Sequence, residues 1–136
     1  MIEQRQCGSC GTSGMERAIR DVSRDFQGQM LTISAVDGWH CPNCGEVEFA
    51  TRAESERFFA AAQAIQEEAT RRQAEAIRAI RNRLGLTQKQ AAELLGGGVN
   101  AFSEYERGIT RPSKSTLILL KLLDRHPELL REAHYL

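Results

Sequence analysis

Residues 86–108 decide the fold of the C-terminal half, and they read LTQKQAAELLGGGVNAFSEYERG. Thr87 is a typical helix N-cap, and the apolar residues after it predict a helix from Gln88 to Leu95. Three consecutive glycines interrupt that helix. A second helix is predicted from about Val99 to Arg107, and Gly108 ends it. Two short helices joined by a glycine turn are typical of a helix-turn-helix.

The predicted helix-turn-helix lies within a bundle of about five helices. A helix from Glu75 to Leu84 precedes it, and two further helices, from Ser115 to Arg125 and from Pro127 to His134, follow it. Ala92 is small where the two central helices cross. The side chains expected to face the core are Ile77, Ile80, Leu84, Phe102, Tyr105, Leu117, Leu120 and Leu123. A helical bundle with no role in DNA binding is the alternative that this pattern leaves open.

The four cysteines of the chain form two pairs with the same spacing, Cys7 with Cys10 and Cys41 with Cys44. Two Cys-x-x-Cys pairs in a chain without a secretory signal indicate a metal site rather than disulfides. Four thiolates in a tetrahedron are a preferred set for Zn²⁺ and leave no open position, so one structural zinc per chain is predicted. A redox dithiol and an iron–sulfur cluster are the other interpretations. His40, beside Cys41, is interpreted as a bystander.

The segment between the cysteine pairs has the pattern of a hairpin. Strands are predicted from Val22 to Phe26 and from Met30 to Val36, around a turn at Gln27 to Gln29, with a further short strand at residues 47–49. A helix from Thr51 to Glu68 follows, because Thr51 and Glu54 form a capping box. The predicted fold class is therefore α+β: a small zinc-stapled β/α domain over residues 1–69, followed by an all-α helix-turn-helix bundle over residues 70–136. The boundary at residues 69–73 has a composition that also permits a continuous helix.

The charge of the chain is divided between its two halves. Residues 1–68 contain 6 Lys and Arg against 11 Asp and Glu, and residues 69–136 contain 12 against 7, so a total of zero hides −5 and +5. A basic half is suited to nucleic acid, and an acidic half to a basic protein. The longest apolar stretches, residues 58–65 and 117–123, are too short to cross a membrane. With no apolar region near Met1, a cytoplasmic location is expected.

Several motifs together resemble one family, the MqsA-type antitoxins. Leu86-Thr87-Gln88, Gly96 and Tyr105-Glu106-Arg107-Gly108 resemble an XRE-type helix-turn-helix. The run from Gly96 to Ser103 and the tail from Leu123 to Leu130 are similar to MqsA-type proteins in particular. The cysteine pairs resemble the YgiT-type zinc finger of that family, down to Cys41-Pro42-Asn43-Cys44-Gly45-Glu46. The resemblance covers nearly the whole chain.

The resemblance implies a function that spacing alone does not. It implies a non-enzymatic antitoxin of a type II toxin–antitoxin system, whose zinc domain binds and neutralises an RNase toxin. It also implies a C-terminal domain that forms a homodimer and binds a palindrome in its own promoter as a repressor. In the family an Asn and, four residues later, an Arg reach base edges; here Asn100 matches the first and Glu104 replaces the second. The operator is therefore expected to differ.

The residues expected to contact double-stranded promoter DNA follow from one helical face. The base-facing residues are Asn100, Ser103, Glu104 and Arg107, and the phosphate-facing residues are Gln88, Lys89, Arg111 and Lys114. Three roles are open for Glu104. It lies beside the DNA without a specific contact, it accepts a hydrogen bond from cytosine N4, or it forms an ion pair with Arg107. The dimer contact is placed on the last two helices, at Leu117, Leu120, Leu129 and Leu130. A zinc-finger regulator without a toxin partner and a thiol redox protein are the alternative functions.

Overall fold

The structure is a computed structural model that describes residues 5–26 and 29–134. The chain divides into two compact units, Met1–Gln66 and Glu67–Leu136. Within the described ranges, no helix has both the length and the hydropathy that crossing a membrane requires.

The first unit contains a three-stranded antiparallel sheet in the order β1-β2-β3. The strands are β1 (Glu16–Phe26), β2 (Gln29–His40) and β3 (Val47–Phe49). The predicted strands are present, but β1 and β2 extend well beyond the predicted bounds. They do so because the extra residues pair in register from Glu16 opposite His40 onward, although charged side chains obscure their pattern. Residues 27 and 28 of the predicted turn lie outside the described residues.

A β-bulge interrupts the pairing of β1 with β2 between Arg20 and Val22. Ala35 has a positive φ of 53°, and its N–H donates to a carboxylate oxygen of Asp21 at 2.9 Å. The guanidinium of Arg57 donates to the carbonyls of Ser34 and Ala35 at 3.2 and 2.7 Å. A bulge bends a strand and increases its twist. The bulge is thus held by hydrogen bonds from the following helix.

The core of the first unit lies between the sheet and that helix. Val22, Ile33 and Val36 are each less than 5% exposed and face Phe58 and Ala62. Ile33 and Val36 are three residues apart, so simple alternation would place them on opposite faces of β2; the bulge supplies the extra residue that returns both to the face of Val22.

Helix α1 (Arg52–Arg83) is a single helix of 32 residues. It includes both of the helices predicted on either side of residues 69–73, so the continuous connection permitted by the sequence is the one observed. The N–H of Glu54 donates to the Thr51 hydroxyl at 3.2 Å, which is one half of the predicted capping box; the Glu54 carboxylate instead accepts from the Asp37 N–H at 3.1 Å. Arg71 and Arg72 both pair with Glu68 at 2.8 Å along the helix. Such ion pairs one turn apart support a helix through a region without a strong apolar stripe.

The second unit contains four shorter helices after the end of α1. They are α2 (Gln88–Leu95), α3 (Ala101–Glu106), α4 (Lys114–Arg125) and α5 (Leu129–Ala133). Thr87 and Gln90 form a capping box on α2. Helices α3 and α5 are shorter than predicted. For α3 the reason is the turn before it, in which Gly96, Gly97 and Gly98 have φ of 80°, 99° and 93° and exclude Val99 from the helix.

The turn between α2 and α3 depends on close approach at one glycine. A Cβ at Gly97 would lie 2.7 Å from the Tyr105 hydroxyl and 2.9 Å from the Ala101 Cβ. Phe102 is fully buried and contacts the Tyr105 ring at a centroid distance of 5.4 Å. Seven of the eight predicted inward residues are buried in this core or packed against it, and Leu123, which is not part of that cluster, is 4% exposed. Ala92 is 6% exposed and belongs to the same core, as expected for a small residue at a helix crossing.

Candidate metal centre and nucleic-acid interface

The two Cys-x-x-Cys segments fold into turns of the same geometry. In each, the N–H of the first cysteine donates to the carbonyl five residues later, at 2.9 Å for both Cys7 and Cys41. The glycine four residues after that cysteine donates back to its carbonyl, at 2.9 Å from Gly11 and 3.2 Å from Gly45. These glycines have φ of 75° and 72°, which a residue with a side chain adopts only at a cost. Each turn therefore directs two sulfur atoms to one side.

The four sulfur atoms lie together at the spacing that a single metal ion requires. All lie within 4.8 Å of one another, with Cys7 to Cys44 at 3.7 Å and Cys10 to Cys41 at 3.6 Å. A tetrahedron with metal–sulfur bonds of about 2.3 Å has edges of about 3.8 Å. All four cysteines are free, so the cluster is not a pair of disulfides. The donor set therefore fits one metal ion such as zinc.

The groups around the sulfurs support negative charge at one of them and oppose it at another. The Thr12 hydroxyl, 3.3 Å away, together with its backbone and the Asn43 amide, lowers the pKa of Cys10 to about 5. The backbone N–H of Glu46 lowers the pKa of Cys44, but desolvation and the neighbouring thiols raise it to about 12. Four adjacent thiolates repel one another, so a bound cation is needed to stabilise all of them.

His40 is not part of this centre. Its side chain is buried, and its Nε2 lies 3.0 Å from the carbonyl of Ala18 and 3.2 Å from that of Val36. The imidazole therefore makes backbone hydrogen bonds within the sheet, in agreement with the interpretation of His40 as a bystander.

Helix α3 presents the residues that the sequence predicts to face DNA bases. Asn100 is exposed at the N-cap, and its side chain makes no capping hydrogen bond. Ser103 is half-buried, and its carbonyl accepts from Arg107 Nε at 3.2 Å. Glu104 accepts from the Thr110 hydroxyl at 3.2 Å and not from Arg107, so the predicted pairing is not the one observed.

The four residues predicted to contact phosphates have different surroundings. Lys89 and Lys114 are exposed. Lys89 is the second residue of α2, and Lys114 is the first residue of α4. Arg111 is exposed as well, with one guanidinium nitrogen 3.3 Å from the Thr70 hydroxyl. Gln88 instead donates its amide to Glu106 at 2.9 Å. Its side chain is therefore engaged within the protein.

A buried ion pair, missed by sequence reasoning, joins α1, α2 and α3. Arg81 and Glu106 form two hydrogen bonds with side chains only 12% and 5% exposed, and Arg81 also donates to the Leu86 carbonyl at 2.8 Å. Burial raises the pKa of Glu106, but the hydrogen bonds from Arg81 and Gln88 outweigh it and hold that pKa below its ordinary value. The available signal was Arg81 itself, which lies four residues after Ile77 on the apolar face of its helix.

Comparison with known proteins places this architecture in a family. Residues 5–134 match the model of the antitoxin component of the bacterial toxin–antitoxin system, MqsA. The chain belongs to the MqsA antitoxin family. Antitoxin MqsA of Escherichia coli (strain K12) is 39% identical over 129 residues, which are 93% of this chain and 98% of that protein.

A solved structure also resembles part of the chain. The match to the structure of the N-terminal domain of E. coli MqsA has a TM-score of 0.41 and a sequence identity of 25%. It covers 48% of this chain and 96% of the chain in that structure. Membership of the family makes the protein a regulatory antitoxin with a toxin partner and not an enzyme. The prediction of a non-enzymatic protein is therefore confirmed, and a redox enzyme is excluded as the alternative function.

The exposed apolar residues of the last two helices are mostly not the four leucines that were expected to contact a second copy. Leu120 is 1% exposed, and Leu117 and Leu130 pack against the core. Of the four leucines expected to contact a second copy, Leu129 is the exposed one, at 41%. The other exposed large apolar side chains of these helices are Ile118, Leu119 and Leu122. The core face of α4 was predicted correctly, but Leu117 and Leu120 were also expected to contact a second copy, and their burial in the core leaves Ile118, Leu119 and Leu122 as the exposed apolar face.

We expect the reduced full-length chain to contain about one equivalent of metal, because four sulfurs converge on one point. Cys41→Ser should lower that content below about half an equivalent and unfold the first unit. Elemental analysis measures the metal, and fluorescence of Trp39, which packs beside Cys41, reports on the fold of that unit. Ser9→Ala, at an exposed position of the first turn, should leave both unchanged. Equal metal content in wild type and Cys41→Ser would contradict the assignment.

We expect Glu106→Gln to destabilise the second unit by about 3–5 kcal/mol, since it leaves the buried Arg81 without its anion. The folded-state pKa of Glu106 is lowered, so its contribution is complete above its ordinary pKa of 4.5 and is lost as pH falls through the folded value. Urea unfolding followed by circular dichroism at several pH values measures this. Glu104→Gln, on the same helix but less buried, should change stability by less than about 0.5 kcal/mol. Equal effects of the two variants would refute a special role for Glu106.

Proposed function

We propose that the chain is a zinc-bound antitoxin that neutralises an RNase toxin through its first unit and represses its own operon through its second. The observation that carries this proposal is the match to the MqsA antitoxin family over residues 5–134. The domains proposed for the two activities are residues 1–69 and 70–136.

The metal is proposed to be one structural Zn²⁺, held by Cys7, Cys10, Cys41 and Cys44. Sulfur–sulfur distances of 3.6–3.7 Å suit a single ion, whereas an iron–sulfur cluster is larger and separates its thiolates further. Four thiolates leave no open coordination position, so the ion stabilises the two turns and does no chemistry on a substrate.

The first unit is suited to a basic protein partner. This unit spans residues 1–66, which contain 6 Lys and Arg against 9 Asp and Glu and so carry a net charge of −3. An RNase binds a polyanion and therefore presents a basic surface, to which an acidic surface is complementary. Complementary charge accelerates association and disfavours wrong partners. This argument supports the first unit as the toxin-binding part of the chain.

The second unit is suited to double-stranded DNA. This unit spans residues 67–136, which contain 12 Lys and Arg against 9 Asp and Glu and so carry a net charge of +3. An uncapped, exposed Asn100 is available to bond adenine N6 and N7 together, and Lys89 and Lys114 are exposed to meet phosphates. Arg107 and Arg111 are also exposed but each already has a hydrogen bond, so we rank them after the lysines.

A homodimer is proposed through the apolar surface of the second unit. Ile118, Leu119 and Leu122 occupy adjacent positions of α4 and are 45–49% exposed. Three neighbouring exposed apolar side chains are unusual on a small monomer and indicate a contact surface. A two-fold dimer would present two recognition helices to the half-sites of a palindrome.

We expect the protein purified from its native host to carry a bound protein that has RNase activity. After separation of the two, re-addition of the chain should suppress cleavage of RNA by that partner. Asn100→Ala is the matched control and should inhibit as well as wild type, because it lies in the other unit. Absence of a co-purifying RNase would favour the alternative, a regulator without a toxin partner.

We expect Asn100→Ala to lose about 1–3 kcal/mol of discrimination between the promoter and a scrambled duplex. Lys114→Ala should weaken both duplexes alike and reduce the slope of log K against log salt by about one. Titrations of both variants against both duplexes at two salt concentrations distinguish the roles. Retention of full sequence preference by Asn100→Ala would overturn the assignment of α3 as the recognition helix.

We expect Leu122→Glu to convert the dimer into a monomer, since a carboxylate would be buried in an apolar contact. Sedimentation of the full chain at micromolar concentration measures the state. Lys121→Glu is the control, because Lys121 is an exposed residue of the same helix outside the apolar positions. A wild-type chain that sediments as a monomer and still binds its promoter as one would contradict the proposed dimer.

A further inference from the structure

Val99 is the most exposed large apolar residue in the part of the chain that the structure describes. Its relative exposure is 81%, whereas its neighbours Ala101 and Phe102 are 5% and 0% exposed. It directly precedes Asn100 in the turn between α2 and α3. A single exposed valine is common on protein surfaces and needs no explanation by itself. The position of this valine, directly before the residue proposed to contact a base, is the feature that calls for one.

The turn does not depend on the Val99 side chain. Its shape is set by the three glycines with positive φ, by the approach of Tyr105 to Gly97, and by the hydrogen bond from the Ala101 N–H to the Gly98 carbonyl at 3.1 Å. The core beneath is filled by Ala101 and Phe102. A smaller or polar residue at position 99 would therefore leave the fold intact.

The surroundings of Val99 favour an apolar group over a phosphate. Val99 lines a shallow cleft of about 220 Å³ together with Ala92, Gly98, Lys89 and Glu93. The charges of Lys89 and Glu93 balance, so the cleft as a whole carries no net charge. Its other walls are apolar or glycine. A small uncharged apolar group is thus the chemistry that matches this cleft.

DNA presents one apolar group in the major groove, the 5-methyl group of thymine. We propose that Val99 is a specificity-determining residue that packs against a thymine methyl next to the base pair contacted by Asn100. This inference rests on the proposed DNA-binding function. The β-branched side chain of valine has few rotamers, so it meets the methyl group with little loss of conformational entropy.

The test measures binding of the full chain to a duplex of its own upstream promoter. In a series of duplexes, each thymine is replaced in turn by deoxyuridine, which keeps base pairing and removes only the methyl group. At one position in each half-site, wild type should lose about three- to tenfold in affinity. Val99→Ala should bind the thymine and deoxyuridine duplexes equally at that position. Ile109→Ala, which removes another exposed apolar side chain after α3, should keep the wild-type preference.

Three outcomes would overturn the inference. The first is a wild-type chain that binds the promoter but is insensitive to every methyl deletion. The second is a Val99→Ala variant that keeps the full preference for thymine. The third is a variant that weakens both duplexes equally, since that would assign Val99 to the turn itself. Failure of the proposed function is distinguishable, because wild type would then bind promoter and scrambled duplexes alike.

Discussion

The first unit depends on the convergence of four sulfur atoms. Two of them belong to the buried Cys7 and Cys41, but Cys10 and Cys44 are exposed, so apolar packing alone does not hold the cluster together. A cation supplies the missing attraction between groups that otherwise repel. The centre also aligns the sheet. Strand β1 begins at Glu16 and β2 ends at His40, each beside one of the two turns, and these two residues are paired in register.

The second unit depends on a different charged centre, the pair of Arg81 and Glu106. A buried ion pair adds little net stability relative to apolar packing, but loss of one partner is costly. It therefore favours one arrangement of the three helices that contribute Arg81, Gln88 and Glu106 over others. Gln88 takes part in that arrangement through its hydrogen bond to Glu106. The orientation of α3 is thus set partly by polar groups whose geometry is specific, and only partly by the apolar core.

The sequence predicted the parts of the fold that have a regular signal. Paired cysteines with glycines, the Thr51 and Thr87 caps and the helical apolar spacing all correspond to observed features. It predicted strand lengths poorly, because charged residues on the outer face hide the alternation. It also placed the exposed face of α4 on the wrong leucines, because burial there depends on the neighbouring helices. Pairs distant in sequence, such as Arg81 with Glu106, leave no periodic signal.

Glu104 sets a limit on how the second unit can bind DNA. Its carboxylate lies in the middle of α3, the helix proposed to read DNA bases, and it accepts a hydrogen bond from the Thr110 hydroxyl. The negative charge opposes the approach of phosphates, so in the proposed interface the attraction to DNA would come from cations elsewhere, chiefly Lys89 and Lys114. The second carboxylate oxygen is left to accept from a base amino group such as cytosine N4. In the proposed interface, Glu104 beside an uncharged Asn100 would therefore select sequence while contributing little to the general attraction for DNA.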